Sequence, residues 1–150
     1  MAWSYGSLGA LATEDDATSG AGGITPALPA GLASGDIMFA HLAGRANVGA
    51  TWDALAGWSE LGSSADNTLK LMARVAGGSE SAPTFTTSTA HPCAARIVRF
   101  TGGPASLASI VAASAQYTSG GTAYEDMATP ALTVPQDNTL ILYVGAAWND

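Results

Sequence analysis

Apolar residues recur along this chain in short runs, cut apart by Gly, Pro, Asn and Ser, and no long stretch keeps a helical period. Residues 36–43 (DIMFAHLA) are apolar on both faces, as a strand buried within a sheet would be. Residues 68–75 (TLKLMARV) alternate instead. Leu69, Leu71, Ala73 and Val75 fall on one face and Lys70, Met72 and Arg74 on the other, and Gly77-Gly78 ends the run. In residues 95–101 (ARIVRFT), Val98 and Phe100 are expected to face the core with Arg96 beside them, and Ile97 and Arg99 to face away. Shorter strands are expected at 59–61, 84–87, 131–134 and 139–147. Residues 107–116 read as strand or short helix, with strand favoured. The pattern gives seven to nine short strands. It predicts an all-β chain forming a single antiparallel β-sandwich, with a jelly-roll-like order among the topologies it allows.

The first 35 residues are less regular. Residues 18–23 (TSGAGG) read as a flexible loop, and Pro26, Pro29, Gly31 and Gly35 punctuate the approach to the first clear strand. The segment is expected to be an extended N-terminal arm or edge strand leading into a sandwich domain at 36–150. Trp3 and Tyr5, two positions apart, share one face of an extended chain, so the arm should dock on its own domain or on a neighbour. Thr25-Pro26-Ala27-Leu28 is echoed by Thr129-Pro130-Ala131-Leu132, each shortly before a strand; the match fits a duplication or two similar approaches to a strand. The sequence stops at Trp148-Asn149-Asp150 just after an apolar run, so either that run closes the sheet or more chain follows.

Composition narrows the function. Apolar residues make up 47% of the chain, enough for a folded core, while charged residues make up only 11%. Small Ala, Gly, Ser and Thr take their place, which suits exposed sheet faces and surfaces buried in an assembly. The formal charge is −7, with five basic residues: Arg45, Lys70, Arg74, Arg96 and Arg99. They form no basic cluster, so neither nucleic acid nor an anionic membrane is an expected partner. Cys93 is the single cysteine, so no intrachain disulfide can form. Residues 1–10 have no positive n-region, so no signal peptide is expected, and no apolar run is long enough for a membrane-spanning helix.

The chemistry-bearing residues do not assemble into a motif. His41 reads as a hydrogen-bonded strand residue. His91 and Cys93 make a His-x-Cys without the second pair that a tetrahedral zinc site needs. Glu14-Asp15-Asp16 and Glu125-Asp126 read as solvated loops, and a calcium site would want more oxygen ligands at ordered spacing. No Gly-x-Ser-x-Gly elbow and no phosphate loop is present. No carboxylate lies within an apolar strand, where a glycosidase acid would find its raised pKa. The reading is no catalytic residue, no cofactor and no metal. Of the four tryptophans, Trp58 and Trp148 are expected in the core or at sheet ends, while Trp52, beside Asp53 in a Gly-Ala loop, is expected to be exposed. Trp3, Tyr5 and Trp52 are therefore the candidate partner contacts, and an exposed Trp52 would suit a carbohydrate-binding module.

From residue 28 to residue 102 the order of elements resembles a β-sandwich domain of phage and prophage structural proteins. A Pro-Ala-Gly-Leu turn (Pro29 to Leu32) comes first, then Gly35-Asp36 opening an apolar strand. Gly57-Trp58 precedes a second strand, a third runs into Val75-Ala76-Gly77, and an alternating strand ends in Thr101-Gly102. The family often has Pro-Ala-Gly-Trp where this chain has Leu55-Ala56-Gly57-Trp58. The resemblance implies a virion component on the outside of a phage particle, as head decoration (cement) protein, fibre or tail appendage, without catalytic residues. Its implied partners are the major capsid protein or other virion proteins. Self-association into symmetric homo-oligomers, trimers among them, is expected for such a role.

Overall fold

The run that is apolar on both faces becomes the middle of a sheet. A computed structural model describes residues 2–14, 23–44, 51–64 and 69–110. In chain order its strands are β1 (Ser4–Leu8), β2 (Ala12–Glu14), β3 (Gly23–Ile24), β4 (Ile37–Gly44), β5 (Ser59–Ser63), β6 (Leu69–Val75), β7 (Phe85–Thr86) and β8 (Cys93–Thr101). The main sheet has the order β1-β8-β4-β6-β5, with β2 also on β8, and every pairing is antiparallel. β3 and β7 form a second, two-stranded sheet. The protein is all-β. The strands expected at 131–134 and 139–147, and with them a jelly-roll order, lie outside the described residues.

β4 has a partner along each edge: Phe39 stands opposite Ala73 of β6 and Val98 of β8. Side chains alternate across the sheet, so the register sorts the residues onto two faces. On the first face Met38, Ala40, Leu42, Met72, Ala95 and Ile97 are covered by Ile24 and Phe85 of the small sheet and by Trp52 and Trp58, forming the larger core. On the second face Ile37, Phe39, Ala73 and Phe100 form a smaller core, joined by Trp3, Leu61, Leu71, Val98, Leu107 and Ile110. The expected facing of β8 is thus refined: Ile97 is fully buried in the larger core, and Val98, on the opposite face, is half-buried.

The N-terminal segment takes the edge-strand form. β1 and β2 lie end to end along the outer side of β8, and between them the Gly9 amide donates to the Ile97 carbonyl at 2.8 Å. The strand favoured from residue 107 is corrected. Leu107–Ser109 is a 3₁₀ turn, and the Ser106 hydroxyl caps it by accepting from the Ala108 amide at 3.3 Å. A local side chain-to-backbone bond of this kind competes directly with the ladder bonds of a strand. Residues 111–116 lie outside the described residues.

Candidate functional site

Cationic side chains rim the first core, and three of them are held in ion pairs. At one end Arg74 and Arg99 both stand opposite Met38. Arg99 Nε donates to Asp36 Oδ2 at 2.6 Å and Arg99 Nη1 to the Ala30 carbonyl at 3.0 Å. Asp36 Oδ2 also accepts from the Ala33 amide at 2.8 Å, so one carboxylate ties the turn before β4 to β8. Arg74 pairs with the buried Glu80 at 2.9 Å, and Glu80 Oε1 takes the Gly77 amide at 2.7 Å. At the other end the buried Lys70 ammonium donates to the Trp52 carbonyl at 2.8 Å and pairs with Glu60 at 3.0 Å. Bonds from Lys70 and Ser63 hold the Glu60 carboxyl below its ordinary pKa, against a smaller opposing effect of desolvation. These cations hold the fold together and are not displayed for a polyanion.

The expected sites fare differently. Trp52 is a correction: it is 4% exposed. The Gly-Ala loop around it is stitched to the small sheet by a bridge to Thr87, by the Asp53 amide on the Thr86 carbonyl at 2.9 Å and by the Ser88 amide on the Thr51 carbonyl at 2.9 Å. The ring therefore becomes part of the core, its Nε1 buried without a hydrogen-bond partner and its edge against His91. A sugar-stacking platform at Trp52 is excluded by that burial. His91 is also buried. Its Nδ1 lies 3.0 Å from the Thr89 carbonyl, and its ring lies over Gly44, where any Cβ would collide with it. Cys93, on the next strand, is buried, and desolvation together with the Glu14 carboxylate pushes its thiol pKa up, away from a reactive thiolate. Among the described residues no three His, Cys, Asp or Glu come together as a metal site would need.

His41 is a second correction. The sequence suggests a hydrogen-bonded strand residue, yet its Nε2 is buried with no partner. It projects from the second face, opposite Leu71 on β6 and Arg96 on β8. Burial pushes its pKa down.

Trp3 and Tyr5 come together as the sequence suggests, both against Phe100, with ring centroids 6.2 Å and 6.0 Å away. Their exposure differs. Trp3 is half-buried and also touches Phe39, whereas Tyr5 is 59% exposed. Leu8 (47%) and Leu11 (54%) join it, and these three are the exposed large apolar side chains among the described residues. A bulge at Gly6, between Tyr5 and Ser7, keeps Tyr5 and Leu8 on the face of Phe100 and Val98, and turns Ser7 inward to donate to the Ala30 carbonyl at 2.8 Å. Residues 2–13 carry no charged side chain. The charges, lysine above all, that usually keep a sheet edge from pairing are therefore missing from β1, which has its bulge and its shortness instead. Beside the strand, the exposed Arg96 donates Nε to the Gly9 carbonyl at 3.2 Å. The sequence does not single out Leu8 and Leu11; Leu8 has a three-residue offset from Tyr5 that only a bulge brings to one face. An uncharged apolar edge strand with one cation beside it can bind another protein by area and by backbone pairing. No family model, curated protein or solved structure matches the chain.

Proposed function

We propose that this chain is a non-catalytic structural protein of a bacteriophage particle, a decoration (cement) protein that binds the major capsid protein on the outside of the shell. The carrying observation is the β1 edge: Tyr5 and Leu8 on the outermost described strand and Leu11 in the link to β2 are the exposed large apolar residues among the described ones, within one uncharged stretch. Clustered exposed apolar side chains mark interaction surfaces, whereas scattered ones do not. The ion-paired cations and the low charge of the chain support binding to protein rather than to nucleic acid. The resemblance of residues 28–102 to phage sandwich domains supplies the setting. Binding to a repeated lattice, as a homo-oligomer such as a trimer, would multiply a small contact into a stable one.

The test is to count this chain against the major shell protein by quantitative mass spectrometry of gradient-purified particles. Comparable copy numbers support decoration, a few copies per particle point instead to a fibre or tail appendage, and absence from the particles overturns the virion reading. In a companion experiment, Tyr5→Glu and Leu8→Glu should abolish binding to undecorated shells while the circular dichroism spectrum stays that of the unsubstituted protein. Unimpaired binding by both variants removes the β1 edge from the reading.

A further inference from the structure

The second face of the main sheet carries a half-buried imidazole with one enclosed ring nitrogen that has no hydrogen-bond partner. His41 is in the middle of β4, and its Nε2 is enclosed without a partner. The side chains around it are set by the register. On its own strand they are Phe39 and Ala43; across β6 they are Leu69, Leu71 and Ala73; across β8 they are Ala94, Arg96 and Val98. Beyond β8, Thr13 of β2 stands opposite Ala94 and Leu8 of β1 opposite Val98. Arg96 is the charged group among these, and its Nε is held by the Gly9 carbonyl, on the side of β8 away from β4. The nearby carboxylates are engaged on the opposite face or at its rim: Asp36 with Arg99, Glu60 with Lys70, and Glu14 opposite Cys93. Among the described residues no carboxylate faces His41.

A second proton on this ring would place a charge among the apolar side chains of the second face, and an N–H at Nε2 would find no acceptor. A charge in that position is stable only once water reaches it. We propose that His41 is a proton-sensitive latch: proton uptake there opens the second face of the sheet, while the larger core on the first face stays closed. The direction follows from linkage. The neutral ring belongs to the closed form, so the latch is fully shut above the ordinary histidine value of about 6.5 and weakens as the pH falls below it. The window between about pH 7.5 and 5.5 is above the range in which carboxylates take up protons, so it isolates the histidines. The latch does not depend on what β1 binds, and it can hold or fail independently of a role on a capsid.

Hydrogen exchange of the intact chain, corrected for the pH dependence of the intrinsic rate, reads the two faces separately. Peptides 2–9 and 103–110 contain Trp3, Leu107 and Ile110, which pack on the second face, and peptide 82–88 contains Phe85 of the first core. Between about pH 7.5 and 5.5, exchange in the first two is expected to rise several-fold while that in 82–88 stays constant. His41→Gln should abolish the rise, and His91→Gln should leave it in place. An unchanged rise in His41→Gln, or no rise in the unsubstituted chain, overturns the latch. If His41→Gln does not fold, NMR titration of the unsubstituted imidazole decides: a midpoint at or above the ordinary histidine value overturns it, and a lower one supports it.

Discussion

Replacing Asp36 by alanine tests whether one buried carboxylate fastens the N-terminal turns to the sheet. Asp36 Oδ2 serves two donors at once, Arg99 Nε at 2.6 Å and the Ala33 amide at 2.8 Å. Its side chain is 9% exposed and that of Arg99 is 17% exposed. Removing one partner of a buried ion pair costs about 3–5 kcal/mol, because the other charge stays buried and unpaired. Arg99 would keep the Ala30 carbonyl at 3.0 Å and retains some access to water, which places the expected loss near the lower end, at about 3 kcal/mol. Domains of this size are stable by about 5–15 kcal/mol, so the loss would be plain in a urea unfolding curve followed by tryptophan fluorescence. Asp36→Asn keeps an acceptor for the Ala33 amide and should lose less. The double variant Asp36→Leu/Arg99→Met should be more stable than Asp36→Ala alone, since apolar replacement of a buried pair is often neutral or better. A cost below about 1 kcal/mol for Asp36→Ala, or a double-mutant cycle with coupling under about 0.5 kcal/mol, would refute the clasp.

Three further outcomes follow from the geometry. Trp58→Ala removes an indole packed edge-on against Phe85, with ring centroids 5.3 Å apart, and should cost about 3–5 kcal/mol in the same unfolding assay. Gly57→Ala forces a side chain onto a backbone with φ of 81°, with Arg74 Nη1 3.2 Å from the new methyl, and should lower stability by about 1–2 kcal/mol without changing the sheet. Glu60 has a lowered carboxyl pKa, so its stabilising effect is present above the ordinary carboxylate value and is lost as the pH falls through the folded one. Glu60→Gln should therefore reduce stability at neutral pH and flatten that acid limb of the stability profile, measured by urea midpoints across pH.

The strands that alternate or run apolar are legible because their period is local. β4, β5, β6 and β8 begin and end within about two residues of their expected bounds, the usual uncertainty of element ends. Lys70, Met72 and Arg74 do share a face, but nothing in the sequence marks that face as the main core. Lys70 can lie on it because its ammonium reaches the Trp52 carbonyl, a bond to a loop 18 residues away. Trp52 departs from expectation for the same reason. A Gly-Ala setting suggests an open loop, and the Thr87 bridge with the backbone bonds beside it, formed only by the fold, closes it. The place of β1 is equally hidden, since Ser4 finds its partner at Thr101 and no local pattern encodes a pairing so distant in the chain.

Several of the turn and strand-entry residues read in the sequence meet at one end of the larger core. Ala30 of the Pro-Ala-Gly-Leu turn accepts from Arg99 and Ser7, Asp36 accepts from Arg99, and Gly57 lies against the guanidinium of Arg74, whose partner Glu80 holds the Gly77 amide. Each motif residue thus acts mechanically, by turning the chain, closing a core or clasping a loop to a strand. Such residues can recur among sandwiches that bind different things, because they specify the frame and leave its surface open to change. Binding specificity then has to come from what the frame displays. In the proposed role that is the neutral β1 edge with Tyr5 and Leu8, and Leu11 beside it. The clasp and the edge should therefore separate experimentally: Asp36 substitutions act on folding, Tyr5 and Leu8 substitutions on partner binding, and neither set should reproduce the effect of the other.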